Sequence, residues 1–206
     1  MGTSPREVGS NPTLLLLVGL SVMVVAIGIE RLWSVTTSRR RWRRARQLVL
    51  EHLAAGDSAA ADAYPGRAPL GAAGEVLKLA LAATPAPPER LRLAEGRATR
   101  QAQARIWVLG SVGALAPFIG LLGTVLGVMD AFAAIAKVGT GGFEVVSGGL
   151  SEALVTTAAG IFVAIEAVAL SNVCRVAAAA FAWELHEGAQ AVAWAWQRGR
   201  SGGCIP

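Results

Sequence analysis

Three long apolar stretches constrain this chain more than any other feature of its sequence. Residues 13–29, 106–129 and 145–174 contain few charged side chains, and each approaches or exceeds the length of about 20 residues that a helix needs to cross the hydrocarbon core of a bilayer. The composition agrees, because 53% of the 206 residues are hydrophobic and only 16% are charged. The sequence therefore predicts an all-α integral membrane protein with three transmembrane helices.

The distribution of positive charge predicts how the chain crosses the membrane. Only Arg6 precedes the first apolar stretch, and Glu7 balances it, which is unlike the basic start of a secretory signal peptide. The arginine-rich segment RRRWRRAR follows that stretch instead, and residues 39–105 hold 13 Lys or Arg residues against six acidic ones. Because basic loops remain in the cytoplasm, we expect the amino terminus outside and the carboxyl terminus inside.

The arginine-rich segment has two interpretations. Directly after a spanning helix it is expected to fix topology and to contact anionic lipid, and binding of nucleic acid is the weaker alternative. We therefore expect membrane lipids, and no nucleic acid, as partners of its six arginines, which are Arg39, Arg40, Arg41, Arg43, Arg44 and Arg46.

These patterns divide the chain into seven segments. We expect a periplasmic amino terminus at 1–12, transmembrane helices at 13–35, 106–130 and 146–174, a cytoplasmic helical segment at 36–105, a periplasmic hairpin at 131–145, and a cytoplasmic helical extension and tail at 175–206. The second and third spans are both expected to continue as long cytoplasmic helices. Taken as one helix, residues 148–198 would be roughly 75 Å long at 1.5 Å per residue.

Smaller signals predict the local structure of the cytoplasmic segments. The motifs YPGRAP and TPAPP are typical of turns, residues 75–83 should form a short helix that buries Val76, Leu77 and Leu81, and a further helix should run from Pro88 through Arg105 into the membrane. Among the tryptophans, we expect Trp33 and Trp107 at the inner membrane interface, and Trp183, Trp194 and Trp196 between cytoplasmic helices.

The motif GLLGTVLGVMDAF lies within the second apolar stretch and is rich in glycine. It is not a phosphate-binding loop, because no strand precedes it and no Lys-Ser/Thr pair follows its last glycine. On a helical wheel its small residues share one face, which would let helices approach closely in a bilayer, with Thr124 as the only hydrogen-bonding side chain. A packing motif without special function is an equal alternative. We assign helix packing to Gly120, Gly123, Gly127 and Pro117.

Glu152 is an acidic residue inside the third apolar stretch. It shares a helix face with Thr156 and Glu166. If the second span ends near Asp130 and the third begins near Val146, Thr124 and Glu152 both lie roughly 9 Å below the outer boundary. A carboxyl at that depth must face the bundle interior or a wet path, where it can exchange a proton. A structural glutamate that is hydrogen-bonded across helices is the alternative.

Two long motifs carry a resemblance to a known family. The sequence APFIGLLGTVLGVMDAF, followed by GGLSEALVTTAAGIFVAIEAVALSN, resembles the MotA/TolQ/ExbB proton channel family, closest to its ExbB and TolQ branch of biopolymer transport proteins. The motif IERLW at the end of the first span is similar to that family's first helix. The resemblance covers all three spans, whereas the cytoplasmic segment is similar only in character.

The resemblance implies a multi-pass protein of the bacterial inner membrane that forms a ring, expected to be a homopentamer. Its second and third helices would line a lumen that holds an ExbD- or TolR-like single-span protein. Proton flow would then drive work on a TonB- or TolA-like partner. The proton is the transported ion, and no cofactor, metal or catalytic residue is expected.

The resemblance also assigns roles to residues in the proton pathway. Glu152 corresponds to the lumen acid of SEAL, Thr124 to the polar residue of GLLGTV, and Thr157 to the second threonine of LVTT. Ideal helix geometry instead places Thr156 beside Glu152 and Thr157 about 140° away. Both threonines are therefore kept as candidates, with Thr157 favoured by the alignment.

Three further acids are secondary candidates. Glu166 stands where the family usually has proline, which should leave the third helix straighter. It lies roughly 21 Å beyond Glu152, near the inner boundary, and is either a second lumen acid or, as the favoured alternative, a boundary residue paired with an arginine. Glu30 is expected to pair with an arginine at the inner interface, and Asp130 to mark the outer mouth.

Two functions of different class remain open: a proton-driven energy transducer, and a non-conducting membrane scaffold that uses the same small-residue packing. An enzyme is not expected, because no catalytic constellation converges and His52 and His186 are interpreted as solvated residues. One monomer alone would leave the small-residue face of the second span toward lipid. We therefore expect that face, including Gly123, to hold the ring of subunits together.

Overall fold

The computed structural model describes residues 12–82, 88–138 and 143–200. Regular structure within these residues is helical and consists of α1 (Pro12–Ala54), α2 (Ser58–Arg67), α3 (Ala72–Ala80), α4 (Pro88–Gln103), α5 (Ile106–Val138) and α6 (Phe143–Arg200). Three of these helices contain segments long and apolar enough to cross a membrane: Pro12–Ala54, Ile106–Ala136 and Ser147–Arg200. The all-α class and the three candidate spans are thereby confirmed.

The chain divides into two compact units. The first, called the apolar unit below, comprises Met1–Ile29 and Arg105–Val173, and the second, called the polar unit, comprises Glu30–Ala104 and Cys174–Pro206. The apolar unit contains the start of α1, all of α5 and the first half of α6. The polar unit contains the remainder of α1 and α6 together with α2, α3 and α4.

The long helical extensions differ partly from expectation. The third span continues as one helix of 58 residues, as predicted. The second span does not join the helix before it, because α4 ends at Gln103 and Arg105 takes a positive φ of 64° before α5 begins at Ile106. A left-handed residue cannot continue a right-handed helix. The uninterrupted extension instead belongs to the first span, since α1 runs for 43 residues through the arginine-rich segment.

A hydrophobic core organises the polar unit. Trp42, Val49, Leu77 and Leu185 are all fully buried within it. Helix α3 forms where a short helix was predicted, and Val76, Leu77 and Leu81 are buried as expected.

One predicted turn of the polar unit is misplaced. The motif YPGRAP begins inside α2, which contains Pro65 and ends at Arg67. The chain turns after it, up to Gly71 at a φ of 58°. Pro65 has no backbone N–H to donate and its ring crowds the carbonyl of Ala61, and the helix ends two residues later. Most of TPAPP lies outside the described residues, although its last proline begins α4, a position that suits proline.

The tryptophans separate into buried and exposed sets. Trp196 is buried, and its indole N–H donates a hydrogen bond to Ala82 O at 3.2 Å, as expected for a residue between helices. Trp183 and Trp194 are exposed, so their predicted packing between helices is wrong. A helical stretch of 58 residues has an outer face that its neighbours leave uncovered, and both residues lie there. Trp33 and Trp107 are exposed, as interface residues require.

Candidate proton-pathway site

The small residues of α5 pack directly against the backbone of α6. A Cβ atom added at Gly120 would lie 3.1 Å from both Thr156 O and Thr157 Cα, and one added at Gly160 would lie 2.7 Å from Ala116 O. Further along, Gly127 faces Ala153, and Gly149 faces Ala131. The two helices therefore approach as closely as their backbones allow, which is the packing expected of small residues in a bilayer.

This contact corrects the prediction that the small-residue face holds the ring together. A Cβ atom at Gly123 would collide with Thr156 Cγ2 and lie 3.1 Å from Thr13 Cγ2, so Gly123 is enclosed by α6 and α1 of the same chain. The face is already covered within one subunit. The exposed surface of α5 carries large apolar side chains instead, among them Phe118, Leu122, Val125 and Met129.

Two threonine hydroxyls meet across this helix pair. Thr124 Oγ1 and Thr157 Oγ1 are hydrogen-bonded to each other, and Thr157 Oγ1 lies 3.1 Å from Gly120 O. Thr124 Oγ1 also lies 3.3 Å from both Gly120 O and Ala153 O. The structure thus joins the two threonines named by the resemblance, and the glycine at position 120 makes room for the contact.

Thr156 occupies a different environment from Thr157. Its side chain is fully buried, and its hydroxyl donates to Glu152 O at 3.0 Å, one turn earlier on the same helix. Ideal helix geometry was right that Thr156 shares the side of Glu152, but the hydroxyl bonds to backbone. The hydroxyl that reaches the second span belongs to Thr157.

Glu152 borders a cavity at the end of the apolar unit. The cavity has a volume of about 470 Å³ and is also lined by Asp130, Thr13, Gly123 and Gly127. Glu152 is partly exposed there, whereas Asp130 is exposed. Because Thr124 contacts the carbonyl of Ala153, the residue after Glu152, the two polar positions lie at the same level of the helix pair. The expected depth of both residues below the outer boundary stays a prediction.

The secondary acids have different partners. Glu166 Oε2 accepts a hydrogen bond from Ser21 Oγ on α1 at 2.8 Å, rather than pairing with an arginine. The favoured interpretation of Glu166 as an arginine-paired boundary residue is therefore wrong, because the side chain is directed toward the apolar part of α1. Glu30 forms an ion pair with Arg31 at 2.5 Å, so the pairing predicted for this residue is confirmed.

The arginine-rich segment forms specific contacts within the polar unit. Arg39 Nε and Arg43 Nε each donate to the carboxylate of Glu184 at 2.7 Å. The hydrogen bonds from Arg43 and Arg39 lower the pKa of Glu184 to about 2, and the hydrogen bond from Glu184 raises the pKa of each arginine. Arg39 and Arg43 thus contribute to tertiary structure, a role that the sequence analysis missed.

The remaining members of this segment divide between packing and exposure. The indole N–H of Trp42 donates to Glu184 O at 3.0 Å. Arg41 lies 3.3 Å from Pro69 O, and Arg46 packs against Gly188. Arg40 and Arg44 are exposed, as expected for residues that contact lipid headgroups. A tryptophan in the middle of six arginines was the available signal for a packed face.

Metal ions in proteins are held by groups of His, Cys, Asp and Glu side chains. The part of the chain that the structure describes contains no group of three such residues able to hold a metal ion. His186 is exposed, as expected for a solvated residue, and its Nδ1 lies 3.0 Å from Glu95 Oε2 and its Nε2 2.8 Å from Gln190.

Comparison with known proteins identifies the family. A profile of the MotA/TolQ/ExbB proton channel family matches residues 74–186, which is more than half of the chain. The chain is 46% identical over 85 residues to the biopolymer transport protein ExbB of Pseudomonas putida, covering 41% of this chain and 25% of that protein. It is 53% identical over 64 residues to ExbB of Neisseria gonorrhoeae, covering 31% of this chain and 29% of that protein.

A relative from the other branch gives a similar match. The Tol-Pal system protein TolQ of Pseudomonas aeruginosa is 39% identical over 82 residues, covering 40% of this chain and 36% of that protein. The chain thus spans between a quarter and about a third of the length of these relatives. The family profile covers α5, the apolar part of α6 and the threonine pair between them, and the chain belongs to the MotA/TolQ/ExbB proton channel family.

Proposed function

We propose that this chain is the proton-channel subunit of a bacterial inner-membrane complex that couples the proton motive force to mechanical work on a TonB- or TolA-like partner. Membership of the family and similarity to proteins named ExbB and TolQ support the proposal. The single observation that carries it is the hydrogen-bonded pair of Thr124 and Thr157 at the level of Glu152. This arrangement places exchangeable protons in an otherwise apolar helix pair.

The chemistry follows from the three side chains. A carboxyl can bind and release a proton, and a hydroxyl can donate one hydrogen bond while accepting others. Glu152 borders a cavity large enough for water, so it can exchange its proton with an aqueous path. Thr124 and Thr157 position hydrogen-bond donors and acceptors next to it. Glu152 is therefore the proton carrier in this proposal, and the threonines orient the path.

The proposal includes an assembly and an orientation. The amino terminus faces the periplasm, and five subunits form a ring around one or more ExbD- or TolR-like helices. The large apolar side chains exposed on α5 and α6 must be covered by lipid, a neighbouring subunit or that partner helix. The small-residue face is already filled within the subunit, which removes the observation that favoured a non-conducting scaffold.

The role of Glu152 is tested by Glu152→Gln in proteoliposomes that contain the chain together with its single-span partner. The amide keeps the shape and hydrogen-bonding capacity of the side chain but cannot release a proton. We expect proton flux to be lost while the complex assembles normally. The matched control is Glu89→Gln, an exposed carboxylate of the polar unit, which should keep wild-type flux.

The threonines are tested by three valine substitutions of equal shape. Thr124→Val and Thr157→Val each remove one member of the hydroxyl pair. We expect proton flux to fall about tenfold, because that is the change in rate that corresponds to losing one hydrogen bond to a charged group. Thr156→Val removes a hydroxyl that bonds only to the backbone of its own helix and should change flux much less. Equal effects of all three substitutions would show that the hydroxyl pair has no special role.

A further inference from the structure

A second carboxyl lies in the apolar unit, away from the cavity of Glu152. Ser21 Oγ of α1 donates a hydrogen bond to Glu166 Oε2 of α6 at 2.8 Å, and both side chains are partly buried. Residues 13–29 of α1 contain no ionisable side chain, and Glu166 is the only Asp, Glu, Lys, Arg or His among residues 153–173 of α6. The contact is therefore an isolated polar pair between two apolar surfaces.

The depth of this pair follows from the charged residues beyond it on each helix. The next ionisable residue after Ser21 on α1 is Glu30, and the next basic residue after Glu166 on α6 is Arg175. Each lies nine residues further on, which corresponds to about 13.5 Å at the rise of an α-helix. The hydrocarbon core is about 30 Å thick, so a pair this far from the next charged residues lies within it.

This depth differs from the one obtained by counting from the outer end of the third span. That count placed Glu166 near the inner boundary because it began at Val146, whereas α6 begins at Phe143 and α5 extends to Val138. These helices are longer than the bilayer is thick, so their outer ends do not mark its surface. The contact with Ser21 links Glu166 to the middle of the shorter apolar stretch of α1.

The surroundings of the pair are closely packed and apolar. Leu17 and Val24 flank Ser21 on α1, and Val163 and Ala167 flank Glu166 on α6. All four side chains are buried. Helix α1 also contacts its neighbours on both sides of the pair. Thr13 lies beside Gly123 of α5 on one side, and Gly28 lies against Leu170 of α6 on the other. The hydroxyl of Ser21 is thus held in place by the helix packing.

No opposite charge on the neighbouring helices compensates an ionised Glu166. On α1 the nearest acidic or basic residues are Glu30 and Arg31, residues 106–129 of α5 contain none, and on α6 they are Glu152 and Arg175. Each of these residues on α1 or α6 is at least nine residues from the pair, and the thiol of Cys174 is eight residues from Glu166. A carboxylate without a cation is strongly disfavoured in hydrocarbon.

We propose that Glu166 is a second proton-binding carboxyl of this subunit, distinct from Glu152, and that Ser21 is its positioning residue. When Glu166 releases its proton, the O–H bond of the carboxyl breaks, the proton passes to water, and the Ser21 hydroxyl stabilises the carboxylate that remains. The binding of a proton at Glu166 stands on the contacts above. Its use in transport rests on the function proposed for the chain.

Infrared spectroscopy of the full chain in vesicles of phosphatidylethanolamine and phosphatidylglycerol tests the proposal directly. A protonated carboxyl gives a C=O stretching band that an ionised one lacks. At neutral pH we expect such a band in the wild-type protein, its specific loss in Glu166→Gln, and a shift of the band to lower frequency in D₂O because the proton exchanges. Identical spectra of the wild type and Glu166→Gln, or a Glu166 band that does not shift in D₂O, would overturn the proposal.

Substitution of serine tests the positioning role without removing the acid. Ser21→Ala should keep the Glu166 band but move it to higher frequency, because the carbonyl loses its hydrogen bond. The control is Ser111→Ala, an exposed serine of α5, which should leave the band unchanged. A band that does not move in Ser21→Ala would remove Ser21 from the site.

The spectra are recorded on the resting protein and do not depend on the role of Glu152. Wild-type flux in Glu152→Gln would contradict the proposed function, whereas the Glu166 band would still decide whether the second site exists.

Discussion

The two units of this chain hold their helices together by different means. In the apolar unit, α5 and α6 meet at glycine, alanine and threonine, and Gly120 and Gly160 bring the two backbones into contact. In the polar unit, large side chains such as Trp42 and Leu185 are fully buried, and Glu184 binds two arginines. Lipid tails are as apolar as leucine, so close packing must replace the hydrophobic effect within a bilayer.

The acidic residues of the two units also differ in the groups that surround them. The carboxylate of Glu184 is neutralised by Arg39 and Arg43 and stabilises structure. Glu152 borders a cavity, and Glu166 has a serine as its partner. Glu184 of the polar unit is thus fixed by two cations, whereas Glu152 of the apolar unit lies at a cavity and Glu166 accepts a hydrogen bond from a hydroxyl.

The largest effect on folding is expected when a large side chain is introduced where α5 and α6 pack in the apolar unit. Gly160→Leu would place a side chain against Ala116 O and Gly120 Cα, both of which are backbone atoms that cannot move aside. We expect loss of the folded apolar unit, measured as loss of monodisperse protein in size-exclusion chromatography. The control Gly19→Leu meets no atom within 4 Å and should behave as the wild type. Normal folding of Gly160→Leu would show that close packing is dispensable.

In the polar unit, the free energy of unfolding should fall most when a buried tryptophan is removed. Trp42→Ala deletes a fully buried side chain and its hydrogen bond to Glu184 O, and we expect a destabilisation of about 3–5 kcal/mol. Thermal unfolding of the purified chain measures it. Trp183→Ala, at an exposed position, is the matched control and should change the unfolding midpoint little. Equal effects at the two positions would contradict the assigned core.

A smaller effect, dependent on pH, is expected from Glu184. Its pKa is about 2, below the ordinary value of 4.5, because Arg43 and Arg39 donate hydrogen bonds to it. The folded state therefore gains stability from this group above about pH 4.5 and loses it as the pH falls toward about 2. The unfolding midpoint of the wild type should fall by a few degrees relative to Glu184→Gln across this window. A constant difference between the two proteins would contradict the pairing.

The smallest effect is expected at an ion pair on the surface of the polar unit. Arg97 lies 3.2 Å from Glu75, but about half of each side chain is exposed. Solvent screens such pairs, so Arg97→Ala should shift the unfolding midpoint by less than the uncertainty of the measurement. If Arg97→Ala shifted the unfolding midpoint as much as the loss of the Glu184 pairing does, solvent exposure would not explain the difference in strength between the two ion pairs.

Predictions from the sequence were most accurate for features that one periodic property determines. Runs of apolar residues located three candidate spans, and the spacing of small residues located the face of α5 that packs closely. The motif resemblance named both Thr124 and Thr157, and the structure joins these two residues by a hydrogen bond. Each of these features depends on local pattern or on residues that keep a fixed separation.

Predictions failed for features that depend on which part of the folded chain a residue contacts. The stripe around Gly123 was known to require a close partner, but only the fold shows that this partner is α6 of the same chain. The arginine-rich segment was interpreted from charge alone, although Trp42 within it is buried and Glu184 lies far away in the sequence. The break at Arg105 arises from one residue in a left-handed conformation, which an arginine does not signal.

The most direct measurement of the central claim compares the acids of the two units in one assay. Proton flux and unfolding midpoint are measured for Glu152→Gln and Glu184→Gln in the same proteoliposomes with the single-span partner. We expect Glu152→Gln to abolish flux at an unchanged midpoint, and Glu184→Gln to lower the midpoint while flux is retained. Wild-type flux in Glu152→Gln would contradict the assignment of this residue as the proton carrier.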